Sequence, residues 1–248
     1  MSLHNFISIT STIALFLPVL VIVSLRLFSN KSYLLLAIYY LLAFIYNLVT
    51  AGVWNLSIET RRTAALINNF LDVPLMMGFL LYFTTSWRLS KQMKAVILLF
   101  AAFEVIVLAT IGATFDKSTV ILGPGILVII SFCGYFFIKQ MQVRLNEFQE
   151  IGKILILSSL LFSYGCFSIV YLFHYILKTP NRADVFLVYY LITIIASLLI
   201  TFGIWKERKK ITQTEADKVL SQDKKVQSLR VVGKPSQPYK DENEFRYK

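Results

Sequence analysis

The sequence predicts an all-α polytopic membrane protein, a seven-transmembrane helix bundle with its N-terminus outside and its C-terminus in the cytoplasm. Three observations lead there. Hydrophobic residues make up 56% of the 248 and charged residues only 16%, against about a quarter charged in a soluble domain, and mean hydropathy is +0.65. The apolar residues gather into seven blocks, each near the roughly 20 residues a helix needs to cross about 30 Å of hydrocarbon. The basic residues between the blocks are shared unequally by the two sides.

The blocks run approximately over 6–28, 33–54, 64–86, 95–115, 119–138, 153–177 and 185–205. Each is expected to be helical, because a segment in lipid must satisfy its own backbone hydrogen bonds and the period-two pattern of barrel strands is absent. The first block lacks a basic n-region and a small-residue cleavage pattern, so it reads as a retained span rather than a signal peptide. The divide between the fourth and fifth blocks rests on Asp116 and Lys117 alone. Trp54, Trp87 and Trp205 fall at block ends, where indoles anchor at headgroup level.

Orientation follows from Lys and Arg retained on the cytoplasmic side of short loops. One set of loops holds twelve: Arg26, Lys31, Arg88, Lys91, Lys94, Lys139, Arg144, Lys153, Lys206, Arg208, Lys209 and Lys210. The other holds five: Arg61, Arg62, Lys117, Lys178 and Arg182. The richer side is assigned to the cytoplasm, which puts the N-terminus outside and residues 206–248 inside as a basic tail, helical at first and then disordered. The net charge of +11 is explained by this topology. No basic amphipathic face points to nucleic acid. The expected partners are the bilayer, its anionic headgroups beside the inner loops and tail, and a cytoplasmic protein at the tail.

Polar side chains inside the blocks are costly in hydrocarbon, so they mark the candidate site. Asn47, Asn68, Asn69, Asp72, Tyr171, His174, Tyr189 and Tyr190, together with Ser8, Thr10, Ser11 and Thr12, are expected in the outer half of their spans. They are read as converging on an outward-facing polar pocket for a ligand. Asn68 and Asn69 precede Asp72 by four and three residues, so one helix face carries an amide beside the carboxylate. Asp72 is alternatively structural glue, paired with an Asn or Tyr of a neighbouring helix. Glu104, mid-span, is either a protonated side chain donating one hydrogen bond or a proton-relay partner of Asp72. His174 is either an interfacial amphipathic residue or a pH-sensitive partner of Asp72.

Two proline sites are expected to bend or interrupt their helices. Pro74 removes a backbone hydrogen bond just after Asp72, and Gly123, Pro124 and Gly125 together read as a hinge or broken helix. The many Tyr and Phe residues are read as interhelical filling, and Cys133 and Cys166 as small apolar side chains.

Enzyme chemistry finds little support. His4 and His174 are the only histidines, too few for the metal cluster of seven-span zinc hydrolases, and no metal site is predicted. A retinal protein would need a lysine in the seventh block, and 184–205 has none. No glycine-framed serine nucleophile or phosphate-binding glycine loop occurs. The function expected is therefore ligand-responsive or sensory and non-enzymatic, with a small-solute or proton-coupled transporter as the alternative and an intramembrane lipid-modifying enzyme as the second. No cofactor is specified.

Overall fold

The structure is a computed structural model. It describes residues 3–50, 53, 54, 56–84, 86–111, 115–144, 151–177 and 186–208. Residues 209–248, on which the expected tail falls, lie outside the described residues.

Seven helices are long and apolar enough to cross a membrane. They are α1 (Leu3–Ser24), α2 (Lys31–Thr50), α3 (Ile58–Leu80), α4 (Trp87–Ile111), α5 (Phe115–Arg144) and α6 (Ile151–Tyr171), followed by α7 (Phe186–Arg208). No strand occurs among the described residues. α4 ends at Ile111 and α5 begins at Phe115, so Asp116 and Lys117, on which the predicted divide rests, fall in the first turn of α5 rather than between helices.

Several helices outrun the predicted blocks, and the reason is local. α3 starts at Ile58 rather than 64, because the Ser57 side chain accepts a hydrogen bond from the Thr60 amide at 3.2 Å and Glu59 lies in the first turn, both favourable at a helix N-terminus. α4 starts at Trp87 rather than 95. Its polar first two turns read as a loop in hydropathy, yet Lys91 folds back over the Trp87 ring at 5.5 Å. The thirty residues of α5 extend about 45 Å at 1.5 Å per residue, longer than a hydrocarbon core requires.

α3 is the central helix, packed against α2, α4 and α5, while α2 also packs on α1 and α5 on α6. α6 and α7 approach closely. A Cβ at Gly203 would lie 2.8 Å from Ile156 Cγ1 and 3.0 Å from its backbone nitrogen, and the Ser159 hydroxyl donates to the Ala196 carbonyl at 2.7 Å. Small residues at such contacts let backbones meet, as helix packing in lipid favours. The core between helices includes Ile22, Leu36, Met76, Met77, Phe79, Ile129, Phe136 and Ile156, all fully buried. The outside is apolar too: Leu98, Leu99 and Leu127 are 66–72% exposed. Large aliphatic side chains facing outward all round the bundle suit a lipid solvent.

The expected interruption at 123–125 does not occur. α5 runs unbroken through Pro124, as α3 does through Pro74, since a proline removes only one helical hydrogen bond and neighbouring helices hold the rest in place. The glycines serve packing instead. A Cβ at Gly125 would meet Val73 Cγ2 of α3 at 2.6 Å and Phe100 Cζ of α4 at 3.2 Å, and one at Gly123 would meet the Tyr171 hydroxyl of α6 at 3.0 Å. The irregular helical turn lies elsewhere, in the π-type turn Leu172–Ile176 that closes α6.

Candidate functional site

Between α2, α3, α6 and α7 lies a cavity that offers water-sized molecules about 90 Å³ of room for their centres. One water needs roughly 10–15 Å³ by that measure, so several fit. The walls are built by side chains at helical spacing. From α2 come Tyr39, Tyr40, Ala43, Tyr46 and Asn47; from α3, Asn68, Asn69 and Asp72; from α6, Ser163, Tyr164 and Phe167; from α7, Tyr189, Ile192, Thr193, Ala196 and Ser197. In α2 and α7 these positions recur at intervals of three and four, the spacing that places residues on one face. α1 and α5 contribute only Leu15 and Leu122.

Asp72 is the charged group of the cavity. Its carboxyl accepts a hydrogen bond from the Tyr164 hydroxyl at 2.7 Å. The Tyr39 hydroxyl also engages the carboxyl and lies 3.5 Å from that of Tyr164. Two phenols from α2 and α6 thus hold one carboxyl from α3, and a hydrogen bond to an ionised acceptor is about twice as strong as a neutral one. Toward the end where α2 finishes, the Asn47 amide donates to the Ala43 carbonyl at 2.9 Å and its side chain also bonds Tyr189 of α7. Thr193 donates to the Tyr189 carbonyl at 2.8 Å, and the Phe167 ring lies 6.0 Å from that of Tyr189. The cavity therefore combines amides and phenols from α2, α3, α6 and α7 with one carboxyl.

Of the residues singled out from the sequence, Asn47, Asn68, Asn69, Asp72 and Tyr189 line this cavity, and Tyr171, Tyr190 and Glu104 do not. Tyr190 packs edge-on against Tyr189 at 5.8 Å. Tyr171 lies against Gly123. Glu104 is fully buried in α4 apart from the cavity walls. His174 belongs to the π-type turn, and its side chain lies outside the described residues. In α1, Thr10 donates to the Phe6 carbonyl, and Ser11 and Thr12 to that of Ser8; these hydroxyls satisfy themselves on their own helix and do not reach the cavity. Asp72 lies about midway along the Ile58–Phe83 segment, which starts earlier than the predicted block.

Apart from Tyr189, the cavity phenols Tyr39, Tyr40, Tyr46 and Tyr164 were missed because tyrosine in an apolar block looks like filling. The available signal was the recurrence of Tyr39, Tyr46 and Asn47 on one face of α2, matched by Tyr189, Thr193 and Ser197 on α7. No group of three or more His, Cys, Asp or Glu able to hold a metal occurs among the described residues. No protein-family model, curated protein or solved structure matches the chain.

Proposed function

We propose that the chain is a non-enzymatic, receptor-like protein of the cell's bounding membrane. Its α2–α3–α6–α7 cavity opens outward and binds a small polar ligand carrying hydrogen-bond donors or a positive charge. The observation that carries this reading is the Asp72 carboxyl, held by Tyr164 at 2.7 Å inside a cavity with room for about 90 Å³ of water centres. A buried acid of this kind is expensive to keep in lipid, and here it stands in space that a ligand can fill. Amide and phenol groups around it supply orientation, as in other small-molecule sites where a few polar groups sit among apolar walls.

The excess of Lys and Arg on one set of loops supports an inner tail. At the end of α7, Lys206 and Arg208 each lie 5.2 Å from the Trp205 ring centre, and Phe202 stacks on Trp205 at 5.8 Å. Such a cationic and aromatic collar suits anionic headgroups, each basic residue contributing on the order of 1 kcal/mol. A transporter is the second reading, and the pair of intramembrane acids, half-buried Asp72 and fully buried Glu104, favours it. The unbroken course of α3 and α5 past their prolines weighs on the receptor side, since transporter sites are typically built on broken helices.

The test uses purified full chain in nanodiscs against a panel of small amines, amino acids and sugars, read by thermal shift and then calorimetry. Asp72→Asn is expected to weaken binding of a hit by about tenfold or more, that is about 1.4 kcal/mol. Binding unchanged by that substitution overturns the cavity reading. Flux of the same hit across proteoliposomes selects the transporter. A cysteine at Ser236 that reacts with an impermeant thiol reagent in intact cells refutes the inner tail.

A further inference from the structure

Glu104 is the second intramembrane acid, and its surroundings differ from those of Asp72. It is 0% exposed, and both carboxyl oxygens are buried with no hydrogen-bond partner among the described residues. The helix that carries it is otherwise greasy: Leu98, Leu99, Val105 and Ile106 are 57–72% exposed on its outer side. Glu104 is turned inward with Phe100 and Val107, both buried, one turn on either side. Phe100 and Val73 meet over Gly125, so the acid sits where α3, α4 and α5 converge. It feels the charge of Asp72, the residue before Val73.

A bare carboxylate is not tenable in that place. An isolated ionised group taken from water into an apolar setting costs many kcal/mol, and a neighbouring carboxylate adds repulsion. On α3 the acid next to Val73 is Asp72, whose side chain lines the cavity beyond that helix. From α5, the described side chains of 120–126 carry no charge, and those of Asp116 and Lys117 lie outside the described residues. Something cationic must neutralise Glu104. A metal ion would need several oxygen ligands, whereas the buried residues one turn away on its own helix, Phe100 and Val107, are apolar, and no group of potential metal ligands gathers among the described residues. A proton needs only the carboxyl itself.

We propose that Glu104 is a proton-binding site, holding one exchangeable proton on the buried face of α4. The site stands whether or not the cavity binds a ligand. It makes α4 functional beyond packing, although that helix contributes nothing to the cavity walls.

Dicyclohexylcarbodiimide is an apolar reagent that tests this directly on the full chain in nanodiscs. A protonated carboxyl adds across one carbon–nitrogen double bond: its oxygen bonds the central carbon, its proton passes to nitrogen, and rearrangement to the acylurea expels nothing. The modified peptide therefore gains the whole mass of the reagent. Peptide mass spectrometry of the unmutated protein is expected to place the adduct on Glu104. Labelling should fall as pH rises, about tenfold per unit once the acid has ionised, and should be indifferent to sodium ions. Glu104→Gln should remove both the adduct and the carboxyl band that shifts on deuteration in the infrared. No adduct on Glu104, or protection by sodium, overturns the proposal. Ligand binding at Asp72 is a separate readout, so either reading can fail alone.

Discussion

Removing the Tyr164 hydroxyl probes the link between cavity and bundle stability. Tyr164 is 4% exposed and donates to Asp72 at 2.7 Å from a different helix. Hydrogen bonds to charged groups contribute about 1.5–3 kcal/mol in soluble proteins, but interhelical ones in lipid average about 0.6 and reach about 1.7. The cavity has room for water to take over part of the lost donation, and the Tyr39 hydroxyl remains beside the carboxyl. The coupling between Tyr164 and Asp72 is therefore expected near 1 kcal/mol. The experiment is a double-mutant cycle of Tyr164→Phe, Asp72→Asn and both together, measured by reversible unfolding in mixed micelles followed by circular dichroism. The coupling is the readout rather than either single value, because removing a buried carboxylate can itself stabilise a fold. Single effects that add within about 0.5 kcal/mol, the behaviour of independent sites, would refute the bond's place in holding α3 to α6.

Two glycines of similar sequence context should respond oppositely to alanine. At Gly152 a Cβ would lie 2.8 Å from the Glu207 backbone nitrogen, so Gly152→Ala should cost about 1–3 kcal/mol by overpacking α6 on α7; at Gly134 it would meet nothing within 4 Å, so Gly134→Ala should gain about 0.5–1 kcal/mol of helix preference. The same unfolding assay separates them, and equal effects would contradict the close α6–α7 approach. Ser159→Ala, which removes the 2.7 Å bond to the Ala196 carbonyl, is expected to cost about 0.6–1.7 kcal/mol; no loss would mean that the contact does not persist in lipid.

The number of helices and their approximate centres were legible because hydropathy over twenty residues reports a solvent, and lipid is a demanding one. Their ends were not, because the first turns of α3 and α4 are polar and look like loops until the Ser57 cap and the Lys91–Trp87 contact are seen. For the cavity, sequence reasoning ranked side chains by depth and so gathered α1 hydroxyls, Tyr171 and Tyr190 beside Asp72. Helix rotation decides which of these meet, and depth says nothing about rotation. Five of the residues named do line the cavity because α3 turns its Asn and Asp face toward α2, α6 and α7. The phenols that complete it needed the three-dimensional contact with Asp72 to stand out from thirteen tyrosines.

Glu207 shows the same lesson at the opposite end of the bundle, where hydropathy assigned it to the tail. It is 3% exposed, accepts a hydrogen bond from the Tyr82 hydroxyl at 3.3 Å, and lies against Gly152. Tyr82 in turn packs edge-on against Tyr33 of α2 at 5.1 Å. The α3 segment thus touches α7 or its neighbours through polar groups at two levels, by Asp72 and its asparagines at the cavity and by Tyr82 beyond it. From Tyr189 to Glu207, α7 is one continuous helix of about 27 Å at 1.5 Å per residue. It is seated on α6 by Gly203 and Gly152 in between. The contacts that seat α7 on α6 fall between Ala196 and Glu207, whereas its cavity-lining residues fall between Tyr189 and Ser197, so the part of the helix beyond the site is given to packing.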